Sequence, residues 1–217
     1  IANSLEGLKS AFKKAEKKNS QNNSVGETVQ GLRMAMREPN KNDLYYDAME
    51  LLESGDLDDA KDAEKLLEQA LKMDEHSVQT HIGFVHVYGA LGNKDKAESY
   101  IKKAYEETVR KFPKWPKKMA WGYLENREYL RAIQYRADIY ADEGEREKAI
   151  ELYRLLLKLN PNDNQGVRFV LAGIYADVSG LEINKMTDDG NKKQNWSKLD
   201  NLLKKQNAKH KYWKEPR

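Results

Sequence analysis

Cysteine is absent from all 217 residues. Disulfide frameworks, thiolate nucleophiles and cysteine-ligated zinc are therefore excluded. Proline is scarce, at 5 residues, glycine is modest at 13, and aromatic side chains make up only 9%. Collagen-like chains and turn-dense β-sandwiches call for more of the first two. No run of 18 apolar residues occurs, so no membrane-spanning helix is expected. The longest apolar stretch, Val167 to Ala176, is broken by Arg168. The first residues, Ile1 to Glu6, hold neither an initiating Met nor the apolar core of a secretory signal. They predict a processed or excised piece and a cytoplasmic location.

What is present is charge. Charged residues reach 34% against 39% hydrophobic, a balance suited to helices with wide solvated faces. The net charge of +3 hides an asymmetry. Residues 1–18 and 204–217 are both basic, and the body between them is acidic. Basic ends of this kind keep a chain soluble or touch phosphate.

Apolar periodicity places the elements. Leu5, Leu8, Phe12 and Ala15 predict a basic amphipathic helix over 4–18, and Val29, Leu32 and Met36 a short one over 28–37 ended by Pro39. Another starts near Asn42 and runs to about Glu53. From there the chain repeats. Ala63 and Ala70 recur as Ala97 and Ala104, 34 residues on. Tyr88, Gly92 and Ala97 recur as Tyr140, Gly144 and Ala149, 52 residues on, so 18 residues are inserted between those copies. Helices approach closely where one offers Ala, and a turn glycine (Gly55, Gly92, Gly144) reverses the chain in a left-handed conformation. Pairs of helices built this way stack and bury a continuous core. The expected divisions are an N-terminal extension over 1–41, repeats over 42–176 (42–77, 78–110, an insertion over 111–126, 127–163 and a half repeat over 164–176), and 177–217. The last part reads as a loop from Asp177 to Gln194, then a capping helix from Asn195 to about Ala208, then a basic tail. The insertion holds Phe112, Trp115, Trp121 and Tyr123 and is expected to fold back onto the helices.

Tyr88-x3-Gly92-x4-Ala97-x6-Ala104 and Ala137-x2-Tyr140-x3-Gly144-x4-Ala149 resemble the tetratricopeptide repeat, as does the exit Leu159-Asn160-Pro161 of the third unit. The resemblance implies an all-α solenoid of antiparallel helix pairs in a right-handed superhelix, with a helical extension before it and a capping helix after it. It departs from the pattern at Asp47, where an apolar residue is usual, and at the insertion. In that family the first helix of each unit lines a concave groove. The matching positions here are Asn42, Tyr45, Met49 and Leu52, then Gln79, Ile82, His86 and Gly89. The third unit contributes Arg131, Gln134, Asp138 and Ala141, and the half repeat Gln165, Arg168 and Tyr175. Arg127 lies one turn before Arg131 and adds to a basic end that suits an acidic or carboxylate group. Tyr45 and Ile82 could equally pack inside, and Arg131 and Arg168 could pair with Asp138 or Glu125. The positions at which some members clamp a chaperone's C-terminus hold Ile82, His86, Tyr135, Gln165 and Phe169, so that ligand is not expected.

Catalytic and metal constellations do not emerge. His81 and His86 are five apart and diverge around a helix, and Asp188-Asp189-Gly190-Asn191 lacks the alternating ligands of a calcium loop. No phosphate loop, dinucleotide fingerprint or nucleophile elbow occurs. The expected function is a non-enzymatic scaffold without cofactor that binds a protein or peptide in its groove, with self-association through the terminal helices open to it. The rival reading is RNA or other nucleic-acid binding by the basic termini, and in the C-terminal one His210, Lys211, Tyr212, Trp213 and Lys214 interleave charge and aromatics.

Overall fold

The computed structural model describes residues 38–216; the helices expected over 4–18 and 28–37 lie outside them. The chain divides into two units, Ile1–Asn40 and Lys41–Arg217. Nine helices are described, all in the second: α1 Lys41–Leu52, α2 Leu57–Met73, α3 Val78–Ala90, α4 Lys94–Lys111, α5 Leu124–Asp142, α6 Arg146–Leu159, α7 Val167–Tyr175, α8 Gly180–Lys193 and α9 Ser197–His210. No strand occurs among the described residues.

Local chemistry starts and stops these helices. Asp56 caps α2 by accepting from the Asp58 amide, and Ser77 and Asn93 cap α3 and α4 by accepting from Thr80 and Lys96. Acidic Asp58 and Asp59 open α2, and Arg110 and Lys111 close α4, each favoured by the helix dipole. At the ends of α3 and α5 the chain turns through Gly92 (φ 67°) and Gly144 (φ 77°). The next amide then reaches back five residues, Asn93 N–H to the Tyr88 carbonyl and Glu145 N–H to that of Tyr140, both at 2.8 Å. The same left-handed C-terminal motif thus recurs 52 residues on, and an L side chain there would cost about 1–2 kcal/mol.

Helices α1 and α2, α3 and α4, and α5 and α6 pair, and the first helices α1, α3 and α5 lie side by side as an inner layer. The repeating alanines explain the close pairing: Ala63, Ala70, Ala104 and Ala149 are all fully buried. Tyr45, Leu67, Phe84 and Val87 fill the first part of the core, and Val78, Ile82, Ala104 and Ala132 bridge the second and third pairs. Leu130, Ile133, Leu152, Tyr153, Leu156 and Leu171 fill the larger C-terminal part. The inserted segment does fold back. Phe112 meets Tyr129 edge-on at 4.9 Å, Met119 is buried, and the Met119 amide donates to the Leu159 carbonyl at 2.7 Å.

The stretch expected to be a loop, Asp177 to Gln194, is instead the helix α8. Ser179 caps it by accepting from Glu182, and Ile183 anchors it against Gly173, where a β-carbon would sit 2.8 Å from the isoleucine side chain. Gly190 gives way to the Trp196 indole in the same manner. Trp196 therefore stands at the N-cap of α9 rather than within its apolar stripe. Leu199 and Leu203 are buried, and α9 packs on α7.

Candidate peptide groove

The inner face of α1, α3 and α5 carries a small cavity of about 260 Å³ between Tyr45, Met49, Ile82, Leu124, Arg127 and Arg131. Tyr45 and Ile82 are core residues, 6% and 1% exposed, so they supply its floor. Its open rim comes from Tyr46 and Leu124, exposed by 56% and 63%, which the repeat pattern did not single out. Gln79 and Glu128 close it on one side. His86 lies beyond it, edge-on to Tyr135 at 6.1 Å.

Arg127 and Arg131 are held by the insertion rather than by acids. Both guanidinium groups sit over the Trp121 ring, at 5.3 and 5.5 Å from its centroid. Arg127 Nε also donates to the Trp121 carbonyl at 2.9 Å. Among the described residues neither has a carboxylate within 4.0 Å, whereas Arg110, Arg146 and Arg168 each do. Stacking on an indole orients a guanidinium while leaving its N–H fork free. The sequence signal for Trp121 was present, since an aromatic insertion must cover something, but its target was not legible.

Further along α5 a second cavity, of about 750 Å³, opens between Gln134, Asp138 and Ala141 on one side and Val170, Ile174 and Ile183 on the other. Gln165 Nε2 spans one end, donating to Gln134 Oε1 at 2.6 Å and to the Leu130 carbonyl at 3.2 Å. Asp138 accepts from the Tyr153 hydroxyl at 2.5 Å. Burial raises the Asp138 pKa above the usual carboxylate range, and nearby Asp142 raises it further.

Arg168 does not line either cavity. The buried Asp163 holds it at 2.9 Å, and its guanidinium lies over Phe169 and Trp213. The expected partners of that ion pair, Asp138 or Glu125, are replaced by Asp163. The cause is the short α7, which starts only after Gly166 in a left-handed conformation, so Val170 and Ile174 reach the cavity instead. Tyr175 is likewise removed from the groove, stacked on His210 at 3.9 Å.

A third cavity, of about 730 Å³, lies beside Lys41, Asp74, His76, Glu107 and Arg110. Those five groups pair with one another: Lys41 with Asp74, and Glu107 with His76 at 3.1 Å and with Arg110. Burial holds the His81 and His86 pKa values below that of a free imidazole, with the positive charges of Lys103 and Arg131 adding to the effect. A histidine with a depressed folded pKa adds stability above its unfolded pKa of about 6.5, and loses it as pH falls through the depressed value. In a proton NMR titration both ring signals are expected to move at a pH below 6.5. Midpoints at or above that value would contradict the burial of these rings.

Paired helices, left-handed glycine turns and a shared inner layer define a helical-repeat protein. Residues 51–110 and 131–163 each match a family model described as tetratricopeptide repeat. These two segments are tetratricopeptide repeats, and such repeats are generally protein–protein interaction modules, typically a scaffold without chemistry of its own. No curated protein and no solved structure matches it. No described helix is long and apolar enough to cross a membrane.

Proposed function

We propose that this chain is a non-enzymatic recruiting module that holds a peptide or protein segment along α1, α3 and α5, with a carboxylate of the ligand at Arg127 and Arg131. The observation that carries this reading is the pair of guanidinium groups stacked on Trp121 with no carboxylate within 4.0 Å among the described residues. An arginine fork without an internal acid binds a carboxylate in two parallel hydrogen bonds, and a preformed helical face loses little entropy when it does so. The neighbouring apolar cavity takes a side chain next to that carboxylate. The division into an N-terminal extension, repeats and C-terminal cap fits this role, the cap sealing the core.

Nucleic-acid binding by the tail has no observation in its favour. The aromatics that would stack on bases are engaged internally: the Tyr212 hydroxyl donates to the Arg168 carbonyl at 3.0 Å, and Trp213 Nε1 to that of Pro161 at 3.1 Å. A peptide array screened with the full chain tests the proposal. Acidic peptides are expected to be retained, and the double change Arg127→Ala, Arg131→Ala to weaken them at least tenfold, because a charged hydrogen bond contributes about 1.5–3 kcal/mol. Undiminished retention by the double variant would overturn the assignment.

A further inference from the structure

We infer that the groove selects a ligand carrying both charges, an acidic group and a basic side chain three residues apart in a polyproline II segment. The inference rests on the peptide-binding reading above and adds the second half of the recognised motif. Arg131 and Asp138 are seven residues apart on α5, which is close to two full turns, so they share one face about 10 Å apart along the axis. Three residues of polyproline II chain, one full turn at about 3.1 Å each, cover about 9 Å and return the two side chains to one face.

The two positions are opposite in sign, and among the described residues neither has an oppositely charged partner within 4.0 Å. Arg131 has no carboxylate within 4.0 Å among the described residues, and Asp138 has no cation within the same distance. Asp138 keeps one hydrogen bond, from Tyr153, and the charge that acts on it is the like charge of Asp142. The one arginine at that cavity, Arg146, is committed to Asp177. A carboxylate in such a wall is electrostatically favoured when a cation comes to it. Val170, Ile174 and Ile183 form the opposite wall, an apolar surface on which the methylene stem of a lysine or arginine lies while its head reaches Asp138. Gln134, between the two charges and pinned by Gln165, keeps the path along α5 open and polar.

Fluorescein-labelled nonapeptides and the full chain provide the test, read by anisotropy. The three probes carry Glu-x-x-Lys, Glu-x-x-Leu or Glu-x-x-Glu at their centre; the first is also made with its two charges exchanged, because either chain direction satisfies the geometry. Wild type is expected to bind the bipolar peptides at least fivefold more tightly than Glu-x-x-Glu. Asp138→Asn, which keeps the acceptor for Tyr153, should bring the probes to similar affinity, and Asp138→Lys should reverse the order in favour of Glu-x-x-Glu. Equal binding of all probes by wild type would overturn the two-charge motif and leave the carboxylate site standing. Binding of none would overturn both.

Discussion

Removal of residues 195–217 is expected to lower the melting temperature by roughly 6–16 °C and to make the chain aggregate. Leu199, Leu203 and Tyr212 are each less than a tenth exposed, and they cover α7. Burial of each side chain contributes about 1.5–3 kcal/mol. A loss equal to one or two such side chains, about 3–4 kcal/mol, is expected, and each kcal/mol moves a domain of this size by ~2–4 °C. The tail is wired in as well as packed. Asn207 accepts from the Tyr212 and Trp213 amides and donates to the Trp213 carbonyl, and Arg154 donates to the His210 carbonyl at 3.1 Å. A soluble truncated chain with unchanged melting temperature would mean that α9 is a passenger rather than a cap.

Leu130→Ala is expected to cost about 3 kcal/mol, which calorimetry should register as ~6–12 °C. Leu130 is fully buried on α5 at the junction of the inner layer with α6 and α7, and its carbonyl also receives Gln165. The cavity left there cannot be filled from the backbone side without moving the helix that carries Arg127 and Arg131. Urea titration should show a lower midpoint with an unchanged slope; a midpoint within error of wild type would show that the site collapses freely.

The repeats were legible because their chemistry is local. A left-handed glycine turn and a buried alanine write themselves into the sequence at fixed intervals, and Gly92, Gly144, Ala104 and Ala149 do in the structure what the pattern required. Helix α8 was not legible because its glycines act at long range. Gly173 and Gly190 are small so that Ile183 and Trp196 can approach, and Gly180, Asp188, Asp189 and Gly190 together read as a breaker. Arg168 was misplaced for a geometric reason: transferring positions from full-length repeats presumes a helix that begins on time, and α7 begins late. Of the groove residues, those on α3 and α5 followed from the resemblance to the tetratricopeptide repeat, whereas the Trp121 platform depends on a fold-back whose destination no local pattern encodes.

The Met119–Leu159 hydrogen bond has a consequence for how the array comes apart. In stacked repeats each unit touches only its neighbours, and fraying runs inward from the ends one pair at a time. Here the segment leaving the second pair is fastened to the closing end of the third, with Phe112, Trp115 and Met119 laid over the joint. That clasp fuses two units into a single cooperative block. The first pair, which shares less of that core, is expected to fray before the block does, leaving the indole beneath the two arginines in place.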